Sequence, residues 1–308
     1  MRKKLTAASK CLRQSVQTVC LLSLFLSQTV LANDTGESVA FVGAGFTAGY
    51  IFDTDKNSRL ILAFAPITEQ FDQLRNGTVS LSNYSPEAKS GNPFYFFDGL
   101  IKISENPVER IKEQVSEAAR GNPKLIIGID MLFWPVYAKV QNAGDEEKIR
   151  LERLREVLRA MEESNQNYVI SSLPVTTMDA PKLAGNKSLK QEKYKVSEST
   201  IDKANEILKD WVNKQNEKTA ETGKVLLLDI GGFFRDSETS EFYCGSELGN
   251  QQLKRLKSAG VIYPNKFGVL CFAGHVLSKM YKSPLSQFHS VAWEFDQTKI
   301  HSSPHSEL

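Results

Sequence analysis

Two aspartates and a glycine-rich turn offer most of the chemistry in this sequence. Asp130 and Asp229 each end a short apolar run, and Asp53 and Asp55 follow the turn Gly43-Ala44-Gly45. Carboxylates gathered at strand ends could bind a sugar hydroxyl or a cation, or work as the acid/base pair of glycoside chemistry. The alternative is that each caps a helix or a turn. The turn itself invites a nucleotide reading, but Thr47 and Ala48 stand where a dinucleotide fingerprint needs its third glycine. Thr47, Ser171 and Ser172 supply hydroxyls with no histidine placed near them by the sequence. His275 lies among apolar neighbours and reads as a buried structural histidine. His289, His301 and His305 fall in the last 20 residues, where nothing fixes their geometry, so no metal centre is expected. The dense aromatics Phe94, Tyr95, Phe96, Phe97, Phe133, Trp134 and Tyr137 suit either a sugar or acyl face or a core.

The compartment narrows these options. Arg2, Lys3, Lys4, Lys10 and Arg13 precede an apolar run at 16–26, and Val30 and Ala32 occupy the −3 and −1 positions of a signal-peptidase site. Residues 1–32 are therefore expected to be a signal peptide, with the mature chain starting at Asn33. The run is shorter than the roughly 20 residues of a bilayer span, so no membrane span is expected after processing. Loss of that segment leaves 33 basic against 36 acidic residues, a net charge of −3, which gives a nucleic-acid partner no electrostatic support. Export also argues against a nicotinamide cofactor, and no cofactor is expected. The mature cysteines are Cys244 and Cys271, which the oxidising setting makes candidates for a disulfide; two buried free thiols are the alternative. The expected location is periplasmic or secreted.

The elements that must position these residues follow from periodicity. Apolar runs at 39–42, 60–64, 125–129, 168–172 and 225–230 read as strands, most of them covered on both faces as in a parallel sheet. Helical stripes run over 107–119, 146–163, 201–216 and 269–281, the first with Val108, Ile111, Val115 and Ala118 on one face. Asn106 is placed to cap that helix, with Pro107 at its first position and Glu109 completing a capping box. Strands alternating with helices predict one α/β domain over 33–285, with 286–308 as a tail. Ligands of such sheets bind beyond the carboxyl ends of the strands, so 43–50, 130–136, 173–179 and 229–234 should share one rim.

The block Phe41-Val42-Gly43-Ala44-Gly45-Phe46-Thr47-Ala48-Gly49-Tyr50 resembles the GDSxTxGY opening block of SGNH (GDSL-type) hydrolases. Gly128 and Asp130 resemble the family's GxND turn, residues 171–174 its Ser/Thr-x-Pro strand end, and 262–268 its histidine-proline block. The resemblance spans about residues 38–285 and implies a flavodoxin-like three-layer α/β/α sandwich with a parallel sheet.

The departures bear on function. The family's serine nucleophile falls at Gly45, its histidine at Tyr263 and its aspartate at Gly260. Glycine has no nucleophile, and a tyrosine with a pKa near about 10 is a poor base at neutral pH. Where the family's asparagine donates to the oxyanion, an ionised Asp130 would oppose it. The resemblance therefore implies a member without serine-esterase activity that binds a glycan or acylated ligand at the old cleft, through Gly43, Thr47, Asp130, Trp134 and Asp229. An active ester or carbohydrate-acyl hydrolase with non-standard residues, and a structural or partner-binding envelope protein, are the competing expectations.

Overall fold

The computed structural model describes residues 38–54, 60–64, 66–75, 79–85, 102–140, 144–174, 177–178, 194–218, 223–230 and 266–295, all within the unit Glu37–Leu308. In chain order the elements are β1 (Ser38–Phe41), β2 (Tyr50–Thr54), β3 (Leu60–Phe64), α1 (Ile67–Leu74), β4 (Ser80–Asn83), α2 (Pro107–Arg120), β5 (Leu125–Gly128), α3 (Phe133–Tyr137), α4 (Glu146–Ser164), β6 (Tyr168–Ser171), β7 (Thr177–Met178), β8 (Tyr194–Lys195), α5 (Glu198–Glu217), β9 (Val225–Leu228), α6 (Lys266–Tyr281) and α7 (Ser286–Trp293).

Every residue of β5 and β6 is buried, because helices cover both faces of the sheet they occupy. That sheet has five parallel strands in the order β4-β1-β5-β6-β9. Alternation divides its side chains between two cores. Ala40, Val42, Ile126, Tyr168 and Ile170 pack beneath α2, α3, α4 and α5. Val39, Phe41, Leu125, Ile127 and Val169 pack on α1, α6 and α7, where Phe71 meets both Phe41 and Phe295 edge-on, with ring centroids 5.0 and 5.7 Å away.

The structure corrects several sequence expectations. Leu60–Phe64 is a strand, but it pairs antiparallel with β2 in a separate hairpin and is not part of the main sheet. Its place is taken by β4, whose sequence Ser-Leu-Ser-Asn carries a single apolar side chain; an edge strand buries too little to show an apolar run. Asn106 stands at the N-cap of α2 but makes no side-chain cap bond. The helix α5 starts three residues earlier than its stripe, where the Ser197 hydroxyl accepts from the Thr200 amide at 3.1 Å. Residues 286–293, expected to begin a tail, instead form α7 and bury Phe288, Val291 and Ala292 in the core, with Phe295 buried just beyond. Among the described residues no helix is long and apolar enough to cross a membrane.

Candidate functional site

The carboxyl ends of five parallel strands make one rim. In the order β4-β1-β5-β6-β9 the chain leaves β1 toward one side and returns from β4 to β5 on the other, so the crevice between β1 and β5 is the topological switch point. Two loops meet there: the turn after β1, holding Gly43, Ala44, Gly45 and Thr47, and the turn after β5, holding Asp130.

The β1 turn needs its glycines. Gly43, Gly45 and Gly49 have φ of +152°, +56° and +100°, a region that residues with a Cβ enter at a cost. Gly43 is also required for space, since a Cβ there would lie 2.1 Å from Asp130 Oδ1 and 2.7 Å from Thr47 Oγ1. The vacated room is filled by the Asp130 carboxyl. Its Oδ1 accepts from the Ala44 amide at 3.3 Å and, over a short contact, from the Thr47 hydroxyl, while Oδ2 accepts from the Thr47 amide at 3.2 Å. On the other side of the turn the Gly43 amide donates to Gln114 Oε1 at 2.8 Å. The Ser85 hydroxyl donates to the Gly43 carbonyl at 3.0 Å, and Asn83 Nδ2 donates to the Thr47 carbonyl at 2.9 Å.

Asp130 as a residue is half-buried, but its carboxyl is turned inward against this turn. Burial pushes the carboxyl up from 3.8 to about 6, outweighing the Thr47 hydroxyl and the Thr47, Ala44 and Asp130 amides, which pull it down. No cationic side chain among the described residues shares in that shift. The turn thus presents its amides to an internal carboxyl, and Gly45 offers no atom for attack. Thr47 and Asp130 do have the relation of a hydroxyl to a general base, but Thr47 is only 1% exposed, which closes it to a substrate carbonyl.

The other rim residues are committed to one another. The Ser171 hydroxyl donates to the Ile129 carbonyl. Ser172 accepts from the Ile230 amide at 3.0 Å and donates to Asp229 Oδ1 at 3.0 Å, which leaves Asp229 exposed at the end of β9. Asn205 of α5 holds Leu173 at both its amide and its carbonyl, 2.8 and 2.9 Å away, and the Tyr137 hydroxyl donates to the Pro174 carbonyl. Trp134, expected at the ligand surface, is buried in the α2–α5 core against Phe133. His275 is buried on α6, as its apolar neighbours suggest.

Gly43, Gly45, Thr47 and Asp130 are therefore brought together from turns more than 80 residues apart in sequence. Tyr263, Gly260, Phe94 to Phe97, the signal segment and the Cys244–Cys271 pairing lie outside the described residues. The sequence did not assign Gln114, Asn83 or Ser85 to this site. Gln114 carried a usable signal, because a polar residue three positions after Ile111 and four before Ala118 sits on the buried stripe of α2. Among the described residues no cluster of histidine, cysteine, aspartate and glutamate could hold a metal ion. Comparison with known proteins finds no family model, no curated protein and no solved structure that matches this chain.

Proposed function

We propose that this chain is an exported, SGNH hydrolase-like protein without serine-esterase activity that binds a glycan or acylated ligand at the rim beyond β1 and β5. The observation that carries the reading is the Asp130 carboxyl. It takes the Ala44 and Thr47 amides on either side of Gly45, where the family resemblance would place the nucleophile, and itself stands where the resemblance would place an oxyanion donor. Support comes also from the parallel strand order, whose switch point falls at the β1/β5 crevice, the kind of place where open α/β sheets bind ligands. The exposed Asp229 adds a carboxylate to the surface of that rim, the kind of group that meets sugar hydroxyls. An ionised carboxylate in place of a donor opposes a developing oxyanion, and loss of one donor already costs about 3 kcal/mol.

The test uses the exported protein with a fluorophosphonate probe and p-nitrophenyl acetate, and separately with an acetylated oligosaccharide and with a free fatty acid by calorimetry. No adduct, no turnover and saturable glycan binding are expected. Robust labelling or turnover would overturn the esterase-silent reading, and absence of binding to both the acetylated glycan and a free acyl chain would overturn the ligand reading.

A further inference from the structure

We infer that Tyr281, His289 and Trp293 form a second ligand surface, on which the pyranose ring of a glycan stacks, at the end of the sheet opposite the rim. The inference rests on this cluster alone and does not depend on the family resemblance.

Two helices build the cluster. Tyr281 is the last residue of α6, and His289 and Trp293 lie four residues apart on α7, one turn along the same face. That face is fixed, because Phe288, Val291 and Ala292 anchor α7 in the core. His289, expected in a tail, is thereby held against both other rings. The centroids are 5.0 Å apart for Tyr281 and His289, 5.3 Å for Tyr281 and Trp293, and 5.6 Å for His289 and Trp293. The chain just beyond gives the location: Phe295 bridges Arg75, whose guanidinium donates to the Val79 carbonyl at 2.8 Å, directly before the amino end of β4. The rim lies at the carboxyl ends.

Trp293 keeps 61% of its surface open after these contacts, and it is the one large apolar side chain so exposed among the described residues. An indole left in water forgoes the stabilisation that burying its large apolar area would bring. Here it is also pre-ordered, resting on two half-buried rings.

The ring angles select the ligand. The planes lie 28° to 40° from one another, so the rings overlap like tiles and do not stand as the upright walls that enclose a quaternary ammonium group. A tiled face suits a flat ring with C–H groups on one side and hydroxyls around its edge. That edge has partners. The Ser290 hydroxyl, one turn before Trp293, donates to the Gln287 carbonyl and keeps its acceptor lone pairs, and Glu294 follows Trp293 directly. Other occupants need more area than one indole supplies. A protein partner requires about 1,000 Å² of buried surface. A membrane surface takes several apolar side chains from one helix face, whereas the other apolar residues of α7 are all in the core.

The experiment follows the indole N–H signals of the purified protein by NMR during titration with cellohexaose, an unsubstituted β-linked glucan. The three tryptophans are distinguishable, because Trp134 is buried and Trp211 half-buried. A saturable shift of the Trp293 signal alone is expected, with a Kd in the millimolar range. Read from the backbone amides of α7, Trp293→Ala should raise that Kd about tenfold or more, and Trp293→Phe, which keeps a smaller ring, should raise it less. Binding of an acetylated oligosaccharide that survives in Trp293→Ala belongs to the rim, so the two readings fail separately. An unmoved Trp293 signal at saturating sugar would overturn the inference, as would an unchanged Kd in Trp293→Ala. An equal shift with phosphatidylglycerol vesicles would give the surface to a membrane instead, and a shift on raising protein concentration without sugar would give it to a second copy of the chain; either result overturns the glycan assignment.

Discussion

Replacing Gly43 by alanine probes the site with a single methyl group. The new Cβ would stand 2.1 Å from Asp130 Oδ1, 2.7 Å from Thr47 Oγ1 and 3.0 Å from Thr47 Cβ, at a φ of +152°. The carboxyl cannot stay, because its position is set by the turn that carries the methyl group. Strained backbone costs about 1–3 kcal/mol. The Ala44 amide, deprived of its acceptor, adds roughly 1–3 kcal/mol if it stays dry, while the Thr47 amide keeps the Ala44 carbonyl at 3.3 Å. A total of about 2–6 kcal/mol is a large part of a domain's stability of about 5–15 kcal/mol. With a urea m-value of about 3 kcal/mol/M, the unfolding midpoint should fall by about 0.7–2 M. Gly144→Ala is the control, since nothing lies within 4 Å of its added carbon, and it should stay within about 0.5 kcal/mol of wild type or gain slightly. In an Asp130→Ala background the obstructing oxygen is gone, so Gly43→Ala should cost only its backbone strain, a coupling of about 1 kcal/mol or more in a double-mutant cycle. A Gly43→Ala midpoint within about 0.3 M of wild type at equal m would refute the reasoning, as would strict additivity in the cycle.

Two further predictions concern the scaffold. Buried Lys224 donates to the carbonyls of Gln215, Asn216 and Lys218 at 3.5, 3.2 and 2.7 Å, closing the last turn of α5. Lys224→Met orphans them and should cost about 1–3 kcal/mol, lowering the melting temperature by roughly 5 °C in a thermal scan. Asn205→Ala frees both the amide and the carbonyl of Leu173, so hydrogen exchange in a peptide covering 168–174 should accelerate at Leu173, while a peptide from α2 stays protected; unchanged exchange at Leu173 would contradict the clamp.

The parts of the fold that were legible in sequence are those whose burial is one-sided or complete. The stripe of α2 and the apolar runs of β5 and β6 announce themselves because nearly every inward position is aliphatic or aromatic. The β3 run has the composition of a core strand, and periodicity says nothing of which partner it takes, so its antiparallel pairing with β2 was hidden. At the site, the glycine turn and Asp130 stood out by residue type. Their contact was not readable, since it joins positions 83 and 86 residues apart through a void that only the absent Cβ of Gly43 creates. Trp134 shows the opposite failure. An aromatic in a rim segment looks like a ligand platform, but a helix as short as α3 has all five of its residues buried.

The polar sequence of β4 also governs how copies of this protein meet. This strand ends the sheet, and among the described residues no strand pairs its outer edge, so its backbone donors and acceptors could template a strand of another molecule. Ser80, exposed Ser82 and Asn83 deny such a partner the apolar face that would hold it in register. Valine at Ser80 and Ser82 would turn the edge into Val-Leu-Val-Asn and make it a nucleus for self-association on concentration or heating, a liability that the folded monomer's own stability would not reveal.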